Sequence, residues 1–489
     1  MNKKICVIGS GFAGLSAACH LAQKGHQVTL LEKNSTIGGR ARIYQDQGFT
    51  FDMGPSWYWM PDVFERFFSQ FGKKPSDYYQ LIRLDPSYGV KFKDELIPIP
   101  AQMSELEALF ESIEPGSAKQ LRDFLKQAAY KYEVGINDLV YKPSRSLLEF
   151  VDLRLLYGLL RMDVFTSMRK HVHKYFKNPM LREMIEFPVL FLGATPENTP
   201  ALYSLMNHAD ITLGTWYPMG GMHAVILAMQ QLAEELGVQI ITNQEVTSFS
   251  YNKQHITQVN TITDSYATDI VVAGADYQHV DQQILPEMYR NYSAKYWDSR
   301  TLAPSSLLFY LGVDKPLPNL LHHTLFFDED FNLHAKDIYD DPKWPEKPLL
   351  YTSATSKTDP NVAPNGKENL VILIPVAPDL EDTEEIREKY FQLAMDRLEV
   401  FTGTDIRNHL IVKKSFAHRD FKSDYHSFKG NAYGLANTLL QTAILKPSLK
   451  NRKLKNLYFT GQLTVPGPGV PPSLISGEVV AREIEKDFN

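Results

Sequence analysis

Lys3-Lys-Ile-Cys-Val-Ile-Gly-Ser-Gly-Phe-Ala-Gly14, continuing through LSAACHLAQKG to VTLLEK, is the stretch that decides the fold. An apolar run ends at Ile8, and Gly9, Gly11 and Gly14 then form a GxGxxG. An Ala-rich segment follows and stops at Gly25; a second apolar run, Val28 to Leu31, ends in Glu32. Strand, glycine turn, helix, strand and acid in that order are what a dinucleotide site requires. Gly9 allows the tight turn, Gly11 lets backbone approach a pyrophosphate, and Gly14 lets the helix pack close to the sheet. Free N–H groups at the helix start then bind the anion. Glu32 stands about 20 residues beyond Gly11, where a carboxylate accepts from ribose hydroxyls and repels a 2′-phosphate. The expectation is an α/β chain that opens with a Rossmann-like domain.

Length and composition narrow the rest. A chain of 489 residues usually splits into two or three domains. With 44% hydrophobic and 22% charged residues it reads as folded rather than disordered. A formal net charge of −6 leaves no global basic field for nucleic acid. The only two cysteines, Cys6 in the first strand and Cys19 in the first helix, are expected to be buried core residues, which fits a reducing compartment. The first strand starts within a few residues of Met1, so no secretory signal is expected before it. Apolar runs such as LVILIPVA from Leu370 fall short of the roughly 20 residues a spanning helix needs. The protein is expected to be soluble or peripheral to a membrane.

Beyond Glu32, the tripeptide Gly38-Gly39-Arg40 combines close backbone approach with a guanidinium suited to phosphate or a flavin edge. Phe49-Thr-Phe-Asp-Met-Gly54-Pro-Ser-Trp-Tyr-Trp59 follows. Asp52 and Gly54 are expected to form a turn beside the ligand. Trp57, Tyr58 and Trp59 either line an apolar pocket or pack as a loop under a domain. Ser104 to about His208 reads as mainly helical. Within it, Asp152 to Arg182 mixes Leu, Tyr, Phe and Met with seven cations and two acids. That stretch is either a membrane-surface element or a helix with its cations in water. Trp216-Tyr-Pro-Met-Gly-Gly-Met222 leads into a helix that stops at Gly237 and a strand expected to end near Val246. Strands SSLLFYLGV, LLYTSAT and LVILIPVA, interrupted by the helix EEIREKYFQLAMDRLEVF, predict a second, mixed-sheet domain. His322-His323 has no third ligand at a metal spacing nearby, and no metal is expected.

Near the C-terminus, Asn456-Leu-Tyr-Phe-Thr-Gly461 reads as a strand, and a glycine–proline turn through Gly467 and Gly469 leads into a helix starting near Val470 to Ser473. Taken together, VIGSGFAGLSAA, Glu32, STIGGRAR, FDMGPSWYWMPD, WYPMGGM, the HH of LLHHTLFF and YFTGQLTVPGPGVPPSLISG resemble the phytoene desaturase family of bacterial and fungal carotenoid enzymes, within the flavin amine-oxidase-like superfamily. The resemblance covers nearly the whole chain. One departure is Val465, where many relatives have His before the Pro-Gly of the last motif; this argues against a titrating histidine there.

The resemblance implies a non-covalent FAD enzyme that introduces double bonds into a C40 carotenoid precursor, of the phytoene-to-lycopene type. It implies an FAD-binding domain from 1–80, 209–285 and 441–489, a substrate domain from 81–110 and 286–440, and a helical membrane-associating region at 111–208. FAD contacts are then expected from Gly9, Gly11, Ala13, Gly14, Glu32, Lys33, Gly39, Arg40, Gly54, Pro55, Ser56, Val246, Ala275, Gly461, Gly469, Val470 and Pro471. Trp57, Tyr58 and Trp59 are the substrate-lining candidates, and Asp52 is a candidate proton acceptor whose other role is to fix the turn. Expected partners are a hydrophobic polyene, the membrane surface, and quinone or oxygen as electron acceptor, with no nucleic acid. The expected location is cytoplasmic, against the inner face of the cell membrane. Alternatives are a hydroxycarotenoid desaturase, a carotenoid isomerase or saturase, a flavin amine oxidase, a plain NAD dehydrogenase, and a non-catalytic prenyl-binding escort protein.

Overall fold

In the computed structural model, which describes residues 2–146, 149, 166–192 and 195–488, three distant parts of the chain build one parallel sheet. Its strands are β1 (Lys4–Ile8), β2 (Gln27–Leu31), β3 (Gln239–Ile241), β4 (Ile270–Ala273) and β5 (Leu457–Phe459), in the order β5–β4–β1–β2–β3. Val7 pairs with both Val272 and Leu30, and Phe459 pairs with Ala273. Successive side chains on a strand point to opposite faces, and both faces here are covered. Ile5 and Val7 face three helices: α1 (Phe12–Gln23), α2 (Met222–Glu235) and α3 (Val470–Phe488). Cys6 and Ile8 face an antiparallel meander, Val246–Asn252, His255–Thr261 and Ser265–Ala267. Cys6 and Cys19 are therefore buried thiols on different layers, Cys19 beside the Met229 carbonyl of α2.

The strand after α2 ends at Ile241, not near Val246. Asn243 adopts a positive φ of 57° and turns the chain, and Val246 opens the meander instead.

The second sheet has seven strands, in the order Leu410–Phe416, Ser305–Val313, Glu368–Val376, Leu350–Ser353, His323–Phe326, Tyr88–Lys91 and Leu96–Ile99. One face packs Leu307, Phe309 and Leu311 against Phe391, Met395 and Leu398 of the helix Glu384–Thr402. The other face packs Leu308 and Tyr310 against Phe49 and Phe51 of the hairpin strand Phe49–Asp52. Gly312 is required there, since a Cβ would stand 2.7 Å from the Phe49 ring. Tyr310 donates its hydroxyl to the Met53 carbonyl at 2.8 Å, fixing the start of the Gly54–Trp59 segment over this sheet.

Described residues between 103 and 212 are mainly helical, led by Met103–Ile113, Ser117–Val134 and Pro179–Glu186. Much of the basic stretch from Asp152, including Arg154 and Arg161, lies outside the described residues. Of its remaining cations, Arg169 pairs with Glu197 and donates to Asn332, and Arg182 donates to the Phe176 carbonyl. Lys170, Lys174 and Lys177 are exposed. Among the described residues no helix is long and apolar enough to cross a membrane.

The tightest joint lies between α1 and α3. A Cβ on Gly477 would stand 2.5 Å from the Ala13 carbonyl and 2.7 Å from the Ala17 amide. Backbone on one side of such a contact cannot yield as a side chain does. Gly477→Ala is expected to destabilise the protein by about 1–3 kcal/mol, read as a lower apparent melting temperature; an unchanged melt would show the helices are not held this closely.

Candidate functional site

The site lies at the carboxyl end of the five-stranded sheet, where open α/β folds bind ligands. Gly9 takes φ +93° and donates its N–H to the Leu31 carbonyl at 2.8 Å. Gly14 is packed so tightly that a Cβ would stand 1.9 Å from the Gly9 carbonyl. At Gly11, by contrast, an added Cβ meets nothing within 4 Å. Gly11 is also the N-cap of α1 and offers no side-chain cap. The helix start thus presents open backbone, with Ala13 in its first turn, where an anion binds.

The Gly38–Arg40 turn docks on this loop. Gly38 donates its N–H to the carbonyl and hydroxyl oxygens of Ser10, at 3.2 and 3.1 Å, and a Cβ on Gly39 would stand 3.3 Å from the Gly11 Cα. Gly54 closes from the other side: its Cβ would stand 2.3 Å from the Arg40 carbonyl. Arg40 donates through Nη2 to Ser427 Oγ at 3.0 Å and to the Asn431 carbonyl at 3.3 Å. Its Nε is buried with no hydrogen-bond partner. An unmatched buried guanidinium donor beside an open helix N-terminus fits a ligand carrying phosphate.

Glu32 is buried at the end of β2. One carboxylate oxygen accepts from the N–H and hydroxyl of Ser10 at 3.0 and 2.5 Å; the other accepts from the backbone and side chain of Asn34. Ribose hydroxyls would replace some of these contacts. Val246 is buried against Leu31, and Ala275 packs on Gly9, whose Cβ would stand 3.2 Å from the Ala275 amide.

A segment that sequence reasoning missed covers this region. Lys33 donates to the Ser423 carbonyl, Asn34 to the Asp424 carbonyl at 3.2 Å, and Arg42 to the Asp424 carboxylate. His426 contacts Glu245 at 2.8 Å and stacks on His279 at 3.9 Å. Ser427 and Asn431, already on Arg40, belong to the same segment. Its only signal in the sequence is polar residues around Gly430, which reads as an ordinary loop.

At the other end, Gly461 takes φ +108° and donates its N–H to Ser476 Oγ of α3 at 3.0 Å. Gly467 and Gly469 also have positive φ, and α3 begins at Val470 with Pro471 and Pro472 in its first turn. Two prolines remove two of the free N–H groups, so the field of the helix end matters more than its donors. Val465 is buried in the core with Leu474 and Ile475. Lys446, also missed, is buried with its Nζ donating to Asn437 at 3.0 Å. Its Nζ lies 3.1 Å from where a Cβ on Gly467 would stand. No carboxylate pairs with it among the described residues, and burial pulls its ammonium down to about 7. This cation would suit negative charge on the ring of a reduced flavin.

Asp52 accepts N–H bonds from Met222 at 2.9 Å and His223 at 3.3 Å, so it caps α2. Burial pushes its carboxyl up to about 7 against those two bonds. The three consecutive aromatics part company. Tyr58 is core, stacked on Phe64 at 4.4 Å and bonded to the Tyr79 hydroxyl. Trp57 and Trp59 lie together on the opposite side, 5.1 Å apart, with Tyr88 and Phe187 against Trp57. Ser56 bonds the Tyr351 hydroxyl at 2.8 Å, and Pro55 joins it to Gly54. An apolar aromatic cluster therefore borders the ligand-side turn.

Two predictions follow from this geometry. Arg40→Met is expected to weaken FAD binding about tenfold or more by flavin-fluorescence titration, since charged hydrogen bonds contribute about 1.5–3 kcal/mol each; unchanged binding would remove Arg40 from the site. Asp52 has a folded value above its ordinary 3.8, so its protonated form favours the fold. That contribution is complete below pH 3.8 and lost as pH rises through about 7. Asp52→Asn is expected to flatten the decline in melting temperature over that window; an unaltered slope would contradict it.

Comparison with known proteins shows the family. Residues 12–485 match the family described as flavin containing amine oxidoreductase. The chain is 43% identical over 489 residues to a carotenoid 3,4-desaturase of Haloarcula japonica, covering 100% of this chain and 99% of that one. It is 31% identical over 504 residues to a 4,4'-diapophytoene desaturase (4,4'-diaponeurosporene-forming) of Staphylococcus aureus, covering 99% of each. Its fold is similar to that of an oxidoreductase from Methanosarcina mazei, with TM-score 0.62 at 17% identity, covering 98% of this chain and 100% of that one. With an open helix N-terminus, an unmatched arginine donor and a family match spanning nearly every residue, the chain belongs to the flavin containing amine oxidoreductases, among the carotenoid desaturases, as an FAD-dependent oxidoreductase acting on CH–CH bonds.

Proposed function

We propose that this protein desaturates a C40 carotenoid-type polyene with FAD as its hydride acceptor. The full-length 43% identity to a carotenoid 3,4-desaturase carries the reading. FAD, when bound, supplies the two-electron oxidation of a C–H bond. The chain's residues do the rest. Gly9–Gly14 and Arg40 would hold the pyrophosphate, Glu32 the ribose, and the Gly461–Pro471 turn the ring. Trp57, Trp59, Tyr88 and Phe187 offer ring faces to a polyene, and a positive charge developing along it is stabilised by such faces.

Two substrates fit. Stepwise desaturation of the phytoene-to-lycopene type rests on the shared motifs. Removal of hydrogens at carbons 3 and 4 of a carotenoid is favoured by the higher identity to the 3,4-desaturase, 43% against 31% for the diapophytoene enzyme. A hydrocarbon this apolar leaves a bilayer for a protein wall with little change in free energy, so selection rests on shape. We place the protein in the cytoplasm, peripheral to the inner membrane face, and assign quinone or oxygen as the acceptor that reoxidises the flavin.

Expression in bacteria that make phytoene, and separately in bacteria that make lycopene, followed by product chromatography and spectra, tests the reading. The 3,4-desaturase reading predicts a longer-wavelength product from lycopene and unchanged phytoene. The phytoene reading predicts coloured products from phytoene. Unchanged substrate in both, with flavin bound, would overturn the proposal.

A further inference from the structure

Desaturation removes a hydride from one carbon and a proton from its neighbour, and the aromatic cluster around Trp57 holds a buried base, His323. His323 is fully buried on the strand His323–Phe326. Its ring stacks on Trp57 with centroids 4.2 Å apart and planes 11° from parallel. Its Nδ1 lies 2.7 Å from the Tyr351 hydroxyl, which lies 2.8 Å from Ser56 Oγ. Its Nε2 is buried and has no hydrogen-bond partner. Nitrogens of His20, His322 and His418 are also buried without a partner, and at His323 the unpaired nitrogen ends a hydrogen-bonded line.

The neighbouring His322 also has a buried Nε2 without a hydrogen-bond partner, but its surroundings differ. It bonds Thr358 at 2.7 Å and meets the edge of Tyr217, away from Ser56 and Tyr351. Tyr351 reaches His323 because Ser353 stands directly opposite His323 across the antiparallel pair, which puts Tyr351 on the same face at the diagonal position. The register of the second sheet thus builds a line of polar groups, Ser56, Tyr351 and His323, ending in a free lone pair in the plane of the stacked ring.

Resting on the carotenoid-desaturation reading, we propose that His323 accepts through Nε2 the proton lost from the polyene, with Tyr351 and Ser56 fixing its tautomer. In the neutral ring Nδ1–H donates to Tyr351, Tyr351 donates to Ser56, and Nε2 keeps its lone pair. Oxidised FAD, when bound, would be the two-electron acceptor for the hydride of one substrate C–H, so the substrate would be oxidised and the flavin reduced. The adjacent C–H then breaks, its electron pair becomes the new π bond, and its proton forms an N–H bond at Nε2. Burial holds His323 well below the usual histidine range, so it enters neutral. A weak base suffices, because a C–H next to a cationic carbon is strongly acidic. The imidazolium formed lies on the Trp57 face, which stabilises it.

The test is anaerobic single-turnover reduction of the FAD-loaded protein by its polyene, with deuterium placed at either reacting carbon. His323→Phe keeps an aromatic ring for stacking, and Tyr351→Phe removes only the hydroxyl. Flavin reduction is expected to slow about a hundredfold or more in His323→Phe, with a primary isotope effect emerging at the proton-losing carbon. Tyr351→Phe is expected to show the same isotope pattern with a smaller loss. Wild-type rates in His323→Phe, or slowing with an effect only at the hydride-losing carbon, would overturn the assignment. A flavin-loaded wild type that neither phytoene nor lycopene reduces would overturn the desaturase reading, and this assignment with it.

Discussion

The contact on which the structure depends is backbone against backbone, where Gly477 of α3 meets Ala13 and Ala17 of α1. It is reinforced by the Ser16 hydroxyl, which donates to the Leu474 carbonyl at 2.7 Å across 458 residues of chain. These two helices carry the first glycine turn and the last. Once they touch, Gly11 and Gly461 belong to one site, and a Cβ on Gly461 would stand 3.8 Å from that of Ala13. Every other segment is placed around that joint. The Gly38–Arg40 turn closes on Gly11, Gly54 closes on Arg40, and the hairpin that precedes Gly54 seats the second sheet through Phe49 and Tyr310.

Packing of this kind also explains how the two sheets cooperate. The first sheet buries both faces and leaves only its carboxyl edge for a ligand. The second sheet presents Tyr351 and His323 toward the loop that runs from that edge. A single loop, Gly54 to Trp59, therefore links the nucleotide-side turn to the aromatic cluster, and its alternation sends Trp57 and Trp59 to one side and Tyr58 to the other.

What the sequence made legible follows from locality. Gly9, Gly11, Gly14 and Gly461 could be singled out because a positive φ or a close backbone approach demands glycine at a fixed offset from its neighbours, and Arg40 because it follows such a glycine pair. The fold class was legible for the same reason, since strand, turn and helix are short-range patterns. Asp52 illustrates the limit: its carboxylate caps α2 through Met222, 170 residues away, and no local pattern announces that. Lys446 and the Ser423–Asn431 segment were hidden likewise, since both matter only through residues far along the chain. The His322-His323 pair was weighed for metal and set aside. What distinguishes His323 is the register opposite Ser353, which only strand pairing supplies.

An experimental structure of the FAD complex tests the central claim most directly, that the two ends of the chain form one cofactor site. The account predicts the pyrophosphate at the N–H groups of Gly11 to Gly14 with Arg40 beside it, and the ring against the Gly461–Pro471 turn. A cofactor bound with its ring away from that turn, or with its phosphates off the start of α1, would contradict it.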